Sequence, residues 1–175
     1  MNIYIHAPLI EDCRKGNSKA QFRLYEQYSK AMYNLANRIL NNREDAEDIL
    51  QEAFVECFRK LDSFRFESSF GAWLKKIIVN KCINHIKKKK IDLTLCETLP
   101  TTIYEEEEEV IYETGKIFKS IELLPDGYRI ILTLYLLEGY DHSEISQILG
   151  ISESTSKSQY SRAKEKLKNI LSKNQ

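Results

Sequence analysis

From Ala20 to Leu40 the apolar residues Phe22, Tyr25, Tyr28, Met32, Leu35, Ala36 and Ile39 recur at steps of three and four, the spacing of one helix face. The same beat returns twice. After a break at Asn41–Asn42, Arg43–Leu61 places Ala46, Ile49, Leu50, Ala53, Phe54, Cys57 and Leu61 on one side. After a second break, rich in Ser and Phe, at Asp62–Ser69, a third stripe holds Phe70, Trp73, Leu74, Ile77, Ile78, Cys82, His85 and Ile86 and runs out in Lys87–Lys90. Stripes of this kind leave water only by packing against one another, so residues 8–90 are expected to form a compact helical domain. With 6 Gly and 3 Pro in 175 residues, little in the chain interrupts helix.

Beyond Ile91 the beat lapses and Pro100 appears, so residues 91–103 read as a linker. Glu105–Glu109 reads as the solvated start of a helix, where acids are favoured, and Val110, Ile111, Thr114, Ile117, Phe118, Ile121 and Leu124 continue its stripe. Leu124–Gly127 is expected to turn, and Tyr128–Leu137 to form a strongly apolar helix ended by Glu138–Gly139. His142–Leu149 is a short helix with Ile145, Ile148 and Leu149 inward. Gly150 then supplies the backbone freedom of a tight turn, and Ile151 plugs the angle. Ser152 is a good cap for a last helix that turns Tyr160, Ala163, Leu167, Ile170 and Leu171 inward. Ser156 breaks that inward row one turn before Tyr160, and its hydroxyl is expected to bond to local backbone. Residues 104–173 thus read as a second domain ending in a helix-turn-helix. The fold class is all-α: two small helical domains joined by a linker.

The net charge of zero conceals a strong pattern. Residues 1–90 carry 17 Lys and Arg against 11 Asp and Glu, residues 91–117 carry 1 against 8, and from Thr155 onward the balance is 6 against 1. Two basic regions around an acidic middle point to two contacts with a polyanion. The outer face of the last helix presents Ser154, Ser158, Ser161, Arg162 and Glu165 with Lys157 and Lys164 at its flank, a polar and cationic surface suited to a major groove.

Three segments, in order, carry a resemblance. Asp45-Ala-Glu-Asp-Ile-Leu-Gln-Glu-Ala-Phe54 resembles the polymerase-docking segment of bacterial sigma factors. Asp62–Leu74, continuing to Ile77-Ile-Val-Asn80, resembles their promoter-melting segment, and Glu144–Ser152 with Thr155–Ser158 and Arg162-Ala163 resembles their helix-turn-helix. Order and spacing together are similar to the extracytoplasmic-function group of the sigma-70 family, over residues 8–172. The resemblance implies that Asp45, Asp48, Gln51, Glu52 and Phe54 bind core RNA polymerase. Phe64, Arg65, Phe66, Ser68, Ser69, Phe70, Lys76 and Asn80 would hold the melted downstream box, and Thr155, Lys157, Ser158, Ser161 and Arg162 would read the duplex upstream box. Loop aromatics suit this task because unstacked bases need flat surfaces to lie on, with cations such as Lys75, Lys76 and Lys81 tracking phosphates. Trp73, on the inward stripe, is read as core. Phe66 stands where the family often has a small residue, and one Arg stands where several members have more, so shape and phosphate contacts carry much of the selectivity. The family's linker runs toward the RNA channel, which offers Glu105–Glu109 a second reading as a displaceable nucleic-acid mimic.

The implied partners are core RNA polymerase, promoter DNA as duplex and melted strand, and an anti-sigma protein, often membrane-bound. No cofactor, metal or small-molecule substrate is expected, nor an enzymatic role. Cys82, His85 and Cys57 offer at most three ligands, all on inward stripes, and His6 and His142 stand isolated. Cys13, Cys57, Cys82 and Cys96 lack paired spacing and are expected as thiols in the cytoplasm. Neither a secretion signal nor a membrane span is read. The alternative is a stand-alone helix-turn-helix regulator whose N-terminal domain senses a ligand or dimerises; it would bind duplex DNA tightly without polymerase.

Overall fold

The computed structural model describes residues 6–95 and 113–173, and among them every regular element is a helix. Most of the expected linker, Pro100, Cys96, Glu105–Glu109, Val110 and Ile111 lie outside the described residues. Backbone contacts divide the chain into two units, Met1–His85 and Ile86–Gln175.

In the first unit α1 spans Ala7–Arg14, α2 Ser18–Leu40 and α3 Arg43–Arg59; a 3₁₀ turn covers Leu61–Ser63, and α4, Phe70–Leu95, begins in this unit and runs past its last residue. Asparagines punctuate these helices. Asn17 Oδ1 accepts from the amides of Lys19 (3.0 Å) and Ala20 (3.2 Å), capping α2. Asn41 closes α2 in the left-handed region (φ 51°), and Asn42 Oδ1 opens α3 by accepting from the Asp45 amide at 2.9 Å. The inward side chains make one core in which Ile10, Leu24, Leu35, Ile39, Leu61, Leu74 and Ile78 are fully buried. Tyr25 meets Phe54 edge to face across α2 and α3 (4.8 Å), and Tyr28 meets Phe70 across α2 and α4 (5.1 Å).

Two expectations need correction here. Phe22 is not part of the stripe but 60% exposed, because Ala20 and Leu24, four apart, take the inward positions and Phe22 falls about 200° around the helix from Ala20. The helix α4 also continues to Leu95, into the stretch read as linker. Lysines are good helix formers and no Gly or Pro stands between Lys87 and Leu95, so a loss of apolar rhythm did not mean a loss of helix.

The second unit holds α5 (Glu113–Glu122), α6 (Asp126–Leu132), a π-helical turn (Thr133–Leu137), α7 (His142–Leu149) and α8 (Glu153–Lys173). Ile121, Leu124, Leu132, Ala163 and Leu167 form its core, with Tyr128, Leu137, Tyr160, Ile170 and Leu171 packed around them. On α5, Ile117 and Phe118 are exposed rather than inward, while Ser120 is buried. The expected turn at Leu124–Gly127 is shorter, and α6 starts at Asp126. Pro125 (φ −53°) presets the helix start, and the buried Arg129 donates to Leu124 O (3.2 Å) and Asp126 Oδ1 (2.8 Å), folding the corner into the helix. The single helix expected over Tyr128–Leu137 widens at Thr133, where the Glu138 amide reaches back five residues to Thr133 O at 3.0 Å.

Candidate DNA-binding and docking surfaces

The helix-turn-helix is built from local signals. Asp141 and Glu144 cap α7 reciprocally: Glu144 N donates to Asp141 Oδ1 at 2.8 Å, and Asp141 N to Glu144 Oε2 at 3.0 Å. Gly150, at φ +71°, closes the helix with its amide on Ser146 O (2.9 Å), and the Ile151 amide bonds the same oxygen (3.1 Å). Ser152 Oγ accepts from the Thr155 amide at 3.0 Å and opens α8. The outer face of α8 then exposes Lys157, Ser158, Ser161 and Arg162. Lys157 pairs with Glu153 at 2.6 Å, and this hydrogen bond raises its pKa. Thr155 differs: it is half-buried, with Oγ1 2.7 Å from Ser152 Oγ, so its hydroxyl is engaged in the cap.

Ser156 corrects the sequence reading most instructively. It is fully buried, and its Oγ lies 2.9 Å from His142 Nδ1, fourteen residues away on α7, rather than on local backbone. The His142 ring stacks on Tyr135 of the π turn (4.5 Å, 23° between planes) and meets Tyr160 at 5.5 Å; Tyr135 and Tyr160 are 4.4 Å apart. Lys164 Nζ lies 4.7 Å from the centre of the Tyr160 ring. His142 is therefore not isolated. It joins the π turn, α7 and α8 and gives the inward Ser156 hydroxyl a partner.

At the loop before α4 and the first residue of that helix, Phe64 and Phe70 are each 3% exposed, so neither offers a face to an incoming base. Phe64 packs on Phe66 (4.8 Å), Trp73 (5.2 Å) and Phe70 (5.8 Å), and Phe70 packs on Trp73 (5.8 Å). A loop this short has no periodic stripe of its own; its Phe64 turns down and, with Phe70 at the start of α4, becomes its footing. Trp73 is half-buried. What stays accessible is Arg65, exposed; Phe66, Ser68 and Ser69, half-buried; and Lys76 and Asn80, exposed on α4. Ser69 also caps α4, its Oγ accepting from the Ala72 amide at 3.2 Å. Phe66 adopts φ +57°, a left-handed conformation that costs a bulky residue about 1–3 kcal/mol and persists only where surroundings enforce it.

Arg14, which sequence reasoning did not single out, is part of those surroundings. Its Nε and Nη2 donate to Leu61 O (3.2 and 3.1 Å), Nη2 also donates to Phe64 O, and the guanidinium carbon lies 5.4 Å from the centre of the Phe66 ring. Nη1 pairs with Glu11 at 2.5 Å. No local pattern marks a residue whose partners are 47 and 50 positions away.

On α3, Asp48, Gln51 and Glu52 are exposed beside Glu44 and Glu47, and Val55 adds an apolar spot that is 58% exposed. Phe54 is withdrawn from this face: it is 3% exposed against Tyr25 and cannot reach a partner. Asp45 is half-buried, with His85 Nε2 3.3 Å from its Oδ2, near enough for attraction but not aligned as a hydrogen bond. Lys81, expected to track phosphates, instead reaches Glu52 (3.2 Å) and Glu56 (3.1 Å). Hydrogen bonds from Lys60 and then Lys81 hold the Glu56 carboxyl below its usual range. Cys13, Cys57 and Cys82 are buried free thiols, and burial pushes Cys57 and Cys82 up to about 12, leaving them protonated at neutral pH. Among the described residues no three His, Cys, Asp or Glu side chains group as a metal site.

Two family models match, one on each unit's helical core: Sigma-70 region 2 over residues 24–91 and Sigma-70, region 4 over residues 115–167. The ECF RNA polymerase sigma factor SigW of Bacillus subtilis is 32% identical over 176 residues, covering 93% of this chain and 94% of that protein. The ECF RNA polymerase sigma-E factor of Escherichia coli K12 is 31% identical, covering 92% and 91%. Among solved structures, the fold is similar to the sigma factor RpoE bound to the anti-sigma factor NepR from Bartonella quintana (TM-score 0.63, 21% identity, 86% of this chain and 95% of that one). It is also similar to CnrH in complex with the cytosolic domain of CnrY (TM-score 0.57, 22% identity, 95% and 97%). Region 2 and region 4 matches in this order, with relatives above 30% identity spanning more than nine-tenths of the chain, place it in the extracytoplasmic-function sigma factors of the sigma-70 family.

Proposed function

We propose that the two units divide the work of promoter recognition, with core RNA polymerase supplying the chemistry. The α3 face of Asp48, Gln51 and Glu52 docks a basic surface of the polymerase, with Val55 as an apolar contact. Phe66, helped by Arg65, Ser68, Ser69 and Asn80, receives a base flipped out of the downstream box, while Lys76 meets the backbone. The outer face of α8 lies in the major groove of the upstream box, with Arg162 as the main base-reading cation and Lys157 on phosphate. The domains run over 8–90 and 104–173, and the segment between them sets the distance between boxes, so promoter spacing matters sharply.

The observation that carries this reading is the pairing of a region 2 match with an exposed acid–amide helix face and a region 4 match with a capped helix-turn-helix whose outer face is polar and basic. A stand-alone regulator would leave the first of these without a task. The protein works in the cytoplasm, and an anti-sigma factor masks its surfaces when it is free; the similar fold of RpoE, bound to the anti-sigma factor NepR, supports that partner class. No helix among the described residues is long and apolar enough to cross a membrane.

Run-off transcription from fragmented genomic DNA with purified core polymerase tests the proposal. Discrete transcripts are expected only when the protein is present. Tight, sequence-specific duplex binding by the protein alone, with no effect on polymerase, would overturn it.

A further inference from the structure

We infer that Arg14 is a positioning residue for base capture: its guanidinium holds the loop that presents Phe66. The inference rests on the reading of that loop as the base pocket. Three observations carry it. Arg14 binds two carbonyls of the chain entering the loop, those of Leu61 and Phe64, from a separate helix. The same group lies 5.4 Å from the Phe66 ring, whose backbone sits at φ +57°, where an aromatic residue does not rest unaided. Glu11, at 2.5 Å, fixes the opposite side of the fork, and the Arg14 side chain is 20% exposed, so the group is held rather than waving in solvent.

The geometry demands arginine. A planar fork bonds carbonyls along its edges while a flat face lies near a ring, whereas a lysine ammonium is a single compact charge. With Arg14 in place, the ring of Phe66 is set before the base arrives, so capture does not have to order the loop as well. Without it, Phe64 and Phe70 still anchor the loop's footing, but Phe66 is released to relax toward ordinary backbone. The expected effect is therefore on binding of unpaired DNA rather than on docking or duplex reading.

The test uses the full chain assembled with core polymerase. The probe is a fork-junction DNA pool, randomised over its single-stranded segment and enriched on the wild-type complex. Arg14→Ala is expected to weaken fork binding about tenfold and Arg14→Lys by a smaller factor, with affinity for core polymerase and for fully duplex upstream DNA unchanged. Phe66→Ala serves as the control for the pocket. If Phe66→Ala weakens fork binding and Arg14→Ala does not, the positioning role is wrong and the pocket stands. If neither changes it, the pocket reading itself falls. Should Arg14→Ala unfold, as judged by circular dichroism, Arg14→Lys decides: fork affinity equal to wild type overturns the inference.

Discussion

The loop before α4 and the helix-turn-helix are both assigned to DNA, yet they acquire their shapes in opposite ways. In the helix-turn-helix, caps at Asp141, Gly150 and Ser152 lie next to the elements they define, and the outer face of α8 follows from helical periodicity. In the loop, shape comes from below and from afar: Phe64 and Phe70 serve as footing, and Arg14 reaches in from α1. Each region still has one long-range polar tie, Arg14 to carbonyls in the first and His142 to Ser156 in the second. A surface on a regular helix can change its readers without losing its frame, whereas a surface on a borrowed frame cannot.

The largest test of that contrast is Phe64→Ala. Removing a fully packed aromatic should cost about 3–5 kcal/mol of stability, measured by chemical denaturation, and abolish fork binding with it. A drop below about 1 kcal/mol would mean that the loop does not depend on its footing. Arg162→Ala should behave oppositely. Promoter affinity falls by about 1–3 kcal/mol and the salt dependence flattens by about one ion, while the melting temperature holds. Smaller again is Ser156→Ala, expected to lower stability by about 1 kcal/mol by stranding His142 Nδ1. An unchanged midpoint would show that the aromatic stack alone joins α7 to α8.

The smallest effect concerns how helices are joined. Lys81 ties α4 to α3 through Glu52 and Glu56, whereas α7 and α8 are joined by rings and a hydroxyl. The Glu56 carboxyl titrates below its ordinary value in the folded chain, so its contribution is complete at neutral pH. That contribution is lost as acidity rises through the lowered folded value, beneath the usual glutamate range. Lys81→Met should flatten that acid limb of the stability curve for the first unit and leave the second untouched. Equal acid sensitivity with and without Lys81 would remove its ion pairs from the account and leave Lys60 alone holding Glu56 low.

What sequence made legible follows the same division. The all-α class, the stripes of α3 and α8 and the cap at Ser152 all rest on neighbours within one or two helical turns, where periodicity and capping rules apply. The inward turn of Phe64 was hidden because a loop has no period from which to read a facing, whereas Phe70 already stood on the third inward stripe. Arg14 was hidden because its partners lie 47 and 50 residues on. Phe54 was drawn into the docking list by its segment's resemblance, although its own stripe had already placed it inward. Ser156 gave half a signal: its misfit on the inward row was visible, but not that His142, one helix earlier, was the answer.

The corner between α2 and α3 has a consequence of its own. Since Asn41 finishes one helix and Asn42 begins the next, that bend contains no spare residue. Adding one would force a choice. Either a cap is abandoned so that Ala46 and Ile49 stay seated, or both caps are kept and the start of α3 is pushed by up to about 3.8 Å, moving the face that carries Asp48 and Glu52. A two-asparagine corner thus acts as a gauge block, and a single-codon insertion there should silence the protein without touching one residue of its working faces.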